Sequence, residues 1–232
     1  MRFNSDQIQK IGKEISNKVD GKTLFDEFSR GRYSTDASVY QIKPLGVVLP
    51  KDTNDVLSLM EYSQKNSVPL LARGGGSSQC GQTVGESVVL DYSKHQNKIL
   101  ELNVEEKYVW VQPGVVLDHL NAYLKPHGLW FPVDVSTSSR ATIGGMSANN
   151  SCGSRSLYYG NMVHNVLAIE AILDDGSVFN FDQINKNYLA TKNNQDRLYK
   201  IIDKFIDVRQ QVGGEIDANW PTTQRRVGGY NI

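Results

Sequence analysis

The sequence predicts an α+β fold of two lobes: a small α/β lobe packed on a larger mixed lobe with antiparallel strands. Three observations predict it. Between residues 42 and 92, short apolar runs alternate with one helical pattern in the order β-α-β-loop-β. From residue 97 the texture changes to apolar pairs separated by charged or Asp-Gly turns. Two stretches rich in Gly, Ser, Thr and Asn, at 73–83 and 132–160, interrupt these elements, and loops that long inside a domain usually serve a function or are disordered.

Taken in order, residues 5–19 read as a helix with Ser5 as N-cap and Ile8, Ile11, Ile15 and Val19 on one face. Lys10, Lys13, Glu14 and Lys18 mix signs on its polar face, which favours docking onto the protein over a membrane surface. Residues 29–40 read as a polar connector, so 1–41 form an N-terminal helix and connector. Pro44 to Pro50 hold a buried strand, Asp52 to Asn66 a helix, Val68 to Ala72 a second strand and Val88 to Asp91 a third. Residues 99–102 and 108–111 pair as strands, and Pro113-Gly114 breaks the chain before a helix from Val115 to Leu124. Val166–Leu173, the turn Asp174-Asp175-Gly176 and Ser177–Phe181 make a hairpin, followed by a helix from about Asp196 to Val212. The two lobes are expected over about 42–92 and 97–215, with a further domain beginning at 216–232.

Lys plus Arg and Asp plus Glu each number 25, and this balance argues against a nucleic-acid binder, which carries a basic excess. No apolar run approaches the ~20 residues of a transmembrane helix, and no secretory signal opens the chain. The two cysteines, Cys80 and Cys152, sit in polar loops without C-x-x-C spacing. They read as small packing residues, a reducing cytoplasm is the default compartment, and the four histidines form no metal-ligand spacing.

The chemistry concentrates in Arg73-Gly74-Gly75-Gly76-Ser77-Ser78. Glycines let the backbone approach a ligand closely, and consecutive N–H groups around one point form an anion nest. A Rossmann fingerprint fails because Gln79 stands at the third glycine position. A Walker A loop fails because Gln82 replaces the lysine that neutralises the β/γ-phosphates. A nest for a dinucleotide pyrophosphate remains, against an ordinary glycine-rich turn. A second run, Asp134 to Gly153, is dense in hydroxyls and amides suited to an extended polar ligand, and by itself reads equally well as a solvated loop.

These blocks together resemble a known family. Arg73-Gly74-Gly75-Gly76-Ser77 with Gly81-Gln82-Thr83, then Val111-Gln112-Pro113-Gly114-Val115, then Ala141-Thr142-Ile143-Gly144-Gly145-Met146 with Asn149-Asn150-Ser151-Cys152-Gly153, resemble the FAD-binding domain of the p-cresol methylhydroxylase/vanillyl-alcohol oxidase superfamily. Arg32-Tyr33-Ser34-Thr35-Asp36-Ala37-Ser38 and Tyr159-Gly160 resemble its FAD-linked D-lactate, glycolate and D-2-hydroxyglutarate dehydrogenases, in particular the long branch fused to an iron–sulfur domain.

The resemblance implies that Arg73, Gly74, Gly75, Gly76, Ser77, Ser78 and Gln82 cradle the FAD pyrophosphate. It implies that Pro113, Gly114, Asp134, Ser136 and Thr137 line the cofactor. Thr142, Gly144, Gly145, Asn149, Asn150, Cys152 and Gly153 would run along the ribityl chain and flavin ring, and Ile169 would meet the adenine end. FAD would lie between the lobes and be held non-covalently, since Ser77 follows the glycines where some relatives attach flavin to a histidine. Arg225 and Arg226 could grip a substrate carboxylate or stand as solvated surface arginines.

The implied activity is oxidation of a small D-2-hydroxy acid by hydride transfer to flavin N5, with electrons leaving to an external acceptor. On the same resemblance this is the N-terminal portion of a larger flavoenzyme, inactive by itself. Catalytic residues, metal ligands and an iron–sulfur cluster would lie past Ile232, and the full protein could touch a membrane peripherally. An enolpyruvyl-sugar reductase, a sugar-lactone oxidase and a non-catalytic nucleotide-binding module are the alternatives.

Overall fold

The computed structural model describes residues 3–182, 196–223 and 227. The chain opens on helix α1 (Ser5–Ser16), whose Ile8, Ile11 and Ile15 are buried. Asn4, rather than Ser5, is the N-cap. Its side chain accepts from Gln7 N at 2.9 Å while Gln7 returns a bond to Asn4 N at 2.8 Å, so two orphan donors are satisfied at once. The helix ends at Ser16, short of Val19, which still packs on the same core.

Two short elements inside the expected N-terminal segment carry no periodic signature. Strand β1 (Lys22–Leu24) adds an antiparallel edge, and helix α2 (Glu27–Arg32) begins at Asp26, which accepts from Ser29 N. Arg30 of α2 is buried and donates from Nε to Pro44 O at 2.8 Å, which ties the helix to the strand that follows. Three strands, β2 (Gly46–Leu49), β3 (Leu70–Arg73) and β4 (Val88–Asp91), complete the sheet in the order β1-β2-β4-β3. β4 runs parallel to both neighbours and is buried throughout, as a central strand covered on both faces must be.

Helix α3 (Thr53–Asn66) crosses from β2 to β3. Asp52 caps it, and Val56, Leu59 and Tyr62 face the core shared with Ile8, Ile15, Val48 and Val88. Its Asp55 is a buried carboxylate accepting from Asp20 N at 2.7 Å, Gly21 N at 2.9 Å and Lys51 N at 2.7 Å. One side chain thus joins the turn before β1, the exit of β2 and the first turn of α3.

The second half contains two antiparallel hairpins, β5 (Ile99–Asn103) with β6 (Tyr108–Val111), and β7 (Ile169–Ile172) with β8 (Val178–Phe181). Between them, helix α4 (Leu117–Leu124) buries Leu117, Leu120 and Leu124, and its chain turns through a 3-10 segment ending at His127. Two short helices, α5 (Ile143–Ala148) and α6 (Ser156–Tyr159), lie within the stretch read as a polar loop, and a third, α7 (Met162–Asn165), follows it. Two further apolar clusters form here, one around Leu117, Val133, Met146 and Met162, the other around Val115, Leu120 and Leu124. Helix α8 (Arg197–Asn219) is longer than its sequence pattern suggested and passes without a break through residues 215 and 216, where a domain boundary was expected. Among the described residues no helix is long and apolar enough to cross a membrane.

The Asp55 junction yields a stability prediction. Asp55→Ala leaves a buried site without a carboxylate and strands three part-buried N–H groups, and is expected to cost about 2 kcal/mol in urea unfolding, with Asp55→Asn losing roughly half as much. Equal stability of Asp55→Ala and the parent protein would refute the junction.

Candidate functional site

The glycine run leaves the end of β3 and packs against the segment that enters α5. A Cβ on Gly74 would stand 2.1 Å from Thr142 Oγ1, and one on Gly75 would stand 2.1 Å from the Arg140 carbonyl. Gly76 then turns the chain with φ of +65°, a conformation open to glycine at no steric cost. Gln82 bonds Ser78 and reaches Asn149 Oδ1 at 2.9 Å, so both ends of the first loop are fastened to the second.

The second loop is itself held from behind. Gly144 lies against Pro113 and donates to its carbonyl at 2.9 Å, while Ile143 N donates to Val115 O at 2.8 Å. Gly114 N donates to Gln96 O at 2.8 Å, and a turn through Ser136 and Thr137 is closed by Arg140 N and Ala141 N donating to Thr137 O. Gly153 sits against Asp134, whose carboxylate also accepts from Ser154 Oγ at 2.8 Å and Arg155 N at 3.0 Å. Asn150 holds a left-handed backbone and accepts from Val163 N at 3.0 Å. Asn150 and Ile169 both line an open groove of about 440 Å³ with Ser147, Val163, Val166 and Phe181.

Gly74, Gly75 and Gln82 of the first loop thus touch Thr142, Arg140 and Asn149 of the second, Gly144 packs on Pro113, and Asn150 shares a groove with Ile169. Arg225 and Arg226 lie outside the described residues. Cys152 is half-buried in the second loop, whereas Cys80 is exposed on the glycine loop, so the expectation of packing fails for Cys80.

Hydrogen-bond satisfaction separates the glycine turn from the N-terminus of α5. At the N-terminus of α5, Ile143, Gly144, Gly145 and Met146 already donate to Val115 O, Pro113 O, Thr142 Oγ1 and Thr142 O. The N–H groups of Gly75, Gly76, Ser77 and Ser78 donate to no described residue. Four consecutive unused donors on a half-exposed turn fit the oxygens of a pyrophosphate, and α5 offers no such set. Beneath the turn, Arg73 donates to the carbonyls of Tyr33, Thr35 and Thr83 at 3.4, 2.9 and 3.1 Å, and its guanidinium lies 5.2 Å from the Tyr33 ring centre. Tyr33 and Asp36 were legible only as parts of a connector motif, and nothing in their spacing showed that they face the glycine loop.

Two predictions follow from these contacts. Gly75→Ala places a methyl against a backbone oxygen and should lower the thermal midpoint by several degrees, at roughly 2–4 °C per kcal/mol. Gly31→Ala, in α2 with nothing within 4 Å of its Cβ, is the control that should leave the midpoint unchanged or slightly raised. At Asp134 burial pushes the carboxyl pKa up, but the bonds from Ser154 and Arg155 outweigh it and hold the group below its ordinary value. Its stabilising contribution is present above the unfolded pKa of about 3.9 and is lost as pH falls through the lower folded value. Asp134→Asn should therefore flatten part of the acid limb of the stability curve, which urea titrations across pH would detect.

Residues 44–182 match the FAD binding domain family. The chain is 41% identical over 209 residues to a D-2-hydroxyglutarate dehydrogenase of Haemophilus influenzae, covering 86% of this chain and 20% of that protein. It is 36% identical over 176 residues to a glycolate oxidase subunit of Bacillus subtilis, covering 74% of this chain and 37% of the subunit. The crystal structure of p-cresol methylhydroxylase with substrate bound superposes with a TM-score of 0.61 at 19% identity, over 76% of this chain and 36% of that one, a likeness of fold. The chain thus spans about a fifth of the length of the D-2-hydroxyglutarate dehydrogenase. A two-lobed architecture, a glycine turn with unused amides and a match over most of its length place the chain in the FAD binding domain family.

Proposed function

We propose that this chain is the FAD-binding portion of a flavin-dependent oxidoreductase that oxidises a small D-2-hydroxy acid of the lactate, glycolate or 2-hydroxyglutarate type. The observation that carries the reading is the row of unused amides at Gly75–Ser78 above Arg73, backed by the second loop through Gly74–Thr142 and Gln82–Asn149 contacts. Gly75, Gly76, Ser77 and Ser78 would donate to the pyrophosphate of FAD, with Gly74 and Gln82 setting the loop's position. Pro113, Gly114, Asp134, Ser136, Thr137, Thr142, Gly144 and Gly145 would shape the wall behind the cofactor. Asn149, Asn150, Cys152 and Gly153 would follow the ribityl chain and ring, and the groove at Ile169 would take the adenine end.

When bound, the flavin supplies the redox chemistry, accepting hydride at N5. The protein's part is to hold and orient it. No histidine lies in the glycine turn, which supports non-covalent attachment. The similarity to a D-2-hydroxyglutarate dehydrogenase and a glycolate oxidase subunit supports the substrate class. Arg225 or Arg226 would grip the substrate carboxylate, and electrons would pass to an acceptor outside these 232 residues, with an iron–sulfur group of the longer relatives as one route. The lobes at about 42–92 and 97–215 would enclose FAD between them, in a protein of the cytoplasm.

The 232-residue protein is expected to gain stability on adding FAD, by about 2.7 kcal/mol at a hundredfold excess over Kd, and to leave D-lactate and D-2-hydroxyglutarate unoxidised. A thermal melt against FAD concentration and a dye-reduction assay measure both. Robust turnover by these residues alone would overturn the division of labour. Absence of any FAD-dependent stabilisation would instead favour a non-catalytic module.

A further inference from the structure

The positive charge beneath the glycine turn is held without a counter-ion in contact. Among the described residues no carboxylate lies within 4 Å of the Arg73 guanidinium, and its bonds go to the carbonyls of Tyr33, Thr35 and Thr83. Carbonyl acceptors orient a guanidinium, whereas a carboxylate would also cancel its field. Both backbone segments that supply these carbonyls are themselves fixed. Tyr33 donates its hydroxyl to Asp91 at 2.7 Å, and Asp91 is buried and accepts from Ser93 N and Oγ at 2.8 and 2.6 Å. Thr83 donates its hydroxyl to Asp36 at 3.0 Å, and Asp36 accepts from Ser38 N at 2.8 Å.

The guanidinium also has a defined place relative to the unused amides. A Cβ on Gly76 would stand 2.4 Å from the terminal nitrogen of Arg73, so the charge lies directly against the back of the turn. Burial draws the guanidinium pKa below its ordinary value, against the opposing pull of the negative charges of Asp91 and Asp36.

We propose that Tyr33, Asp36, Thr83 and Asp91 position Arg73 as a fixed cation, with no carboxylate in direct contact, behind the glycine turn. The 33–36 connector is thereby part of the site for a pyrophosphate-bearing ligand. This rests on the FAD reading above and adds to it a second layer of residues that hold the cation.

The test uses the 232-residue protein, with FAD and ADP affinities measured by calorimetry at low and high salt and far-UV circular dichroism checking the fold. Arg73→Met is expected to weaken both ligands about tenfold at low salt and to flatten the salt dependence. Arg73→Lys keeps the charge without the planar fork, so it should recover the salt dependence while binding several-fold more weakly than the parent. Tyr33→Phe keeps the ring and cuts only the link to Asp91, and should weaken both ligands several-fold. A parent protein that binds FAD, with an Arg73→Met variant within twofold of it and an unchanged salt dependence, would overturn the proposal alone. If Arg73→Met loses its circular dichroism spectrum, Arg73→Lys and Tyr33→Phe decide, and both within twofold of the parent would overturn it. A parent protein binding neither FAD nor ADP would sink the FAD reading and this inference with it.

Discussion

The structure depends on two stretches of backbone coming closer than side chains permit. Gly74 and Gly75 lie against Thr142 and the Arg140 carbonyl at distances no Cβ could tolerate. That contact joins the two loops. It holds the start of the glycine turn against the entry to α5, which in turn is pinned to Pro113 and Val115. The glycines pay an entropic cost for this close approach, and the amides of Gly75 to Ser78 are left without a described partner.

Polar groups in such an arrangement act as a set. Asp55 joins three chain segments through three N–H groups, and Asp91, Asp36 and Arg73 do similar work nearer the glycine turn. Among the described residues, no fully buried side-chain polar atom lacks a partner.

Much of the fold was legible in the sequence because periodicity reports burial directly. The isoleucines of α1, the capped α3, the strands ending in Arg73 and Asp91, and both hairpins follow from apolar spacing and turn residues. Strand β1 and helices α2, α5, α6 and α7 were not legible, because each is six residues or shorter and held by tertiary bonds such as Arg30 to Pro44. The same limit applied to the N-cap, where Asn4 and Gln7 bond reciprocally and Ser5 has no such partner.

The sequence by itself pointed to the kind of ligand. Three glycines after a strand, with no third Rossmann glycine and no P-loop lysine, left a pyrophosphate nest against an ordinary turn, and the resemblance of both loops to FAD-binding domains supplied the dinucleotide. Only the tertiary structure decided which glycine loop keeps free donors and where the charge of Arg73 goes. Composition lists the donors and acceptors available, but which of them pair depends on distances between residues such as Tyr33, Arg73 and Thr83. That pairing leaves the N-terminus of α5 satisfied by its own neighbours and the glycine turn open to a ligand, because an amide already bonded to a carbonyl has nothing left to offer a phosphate.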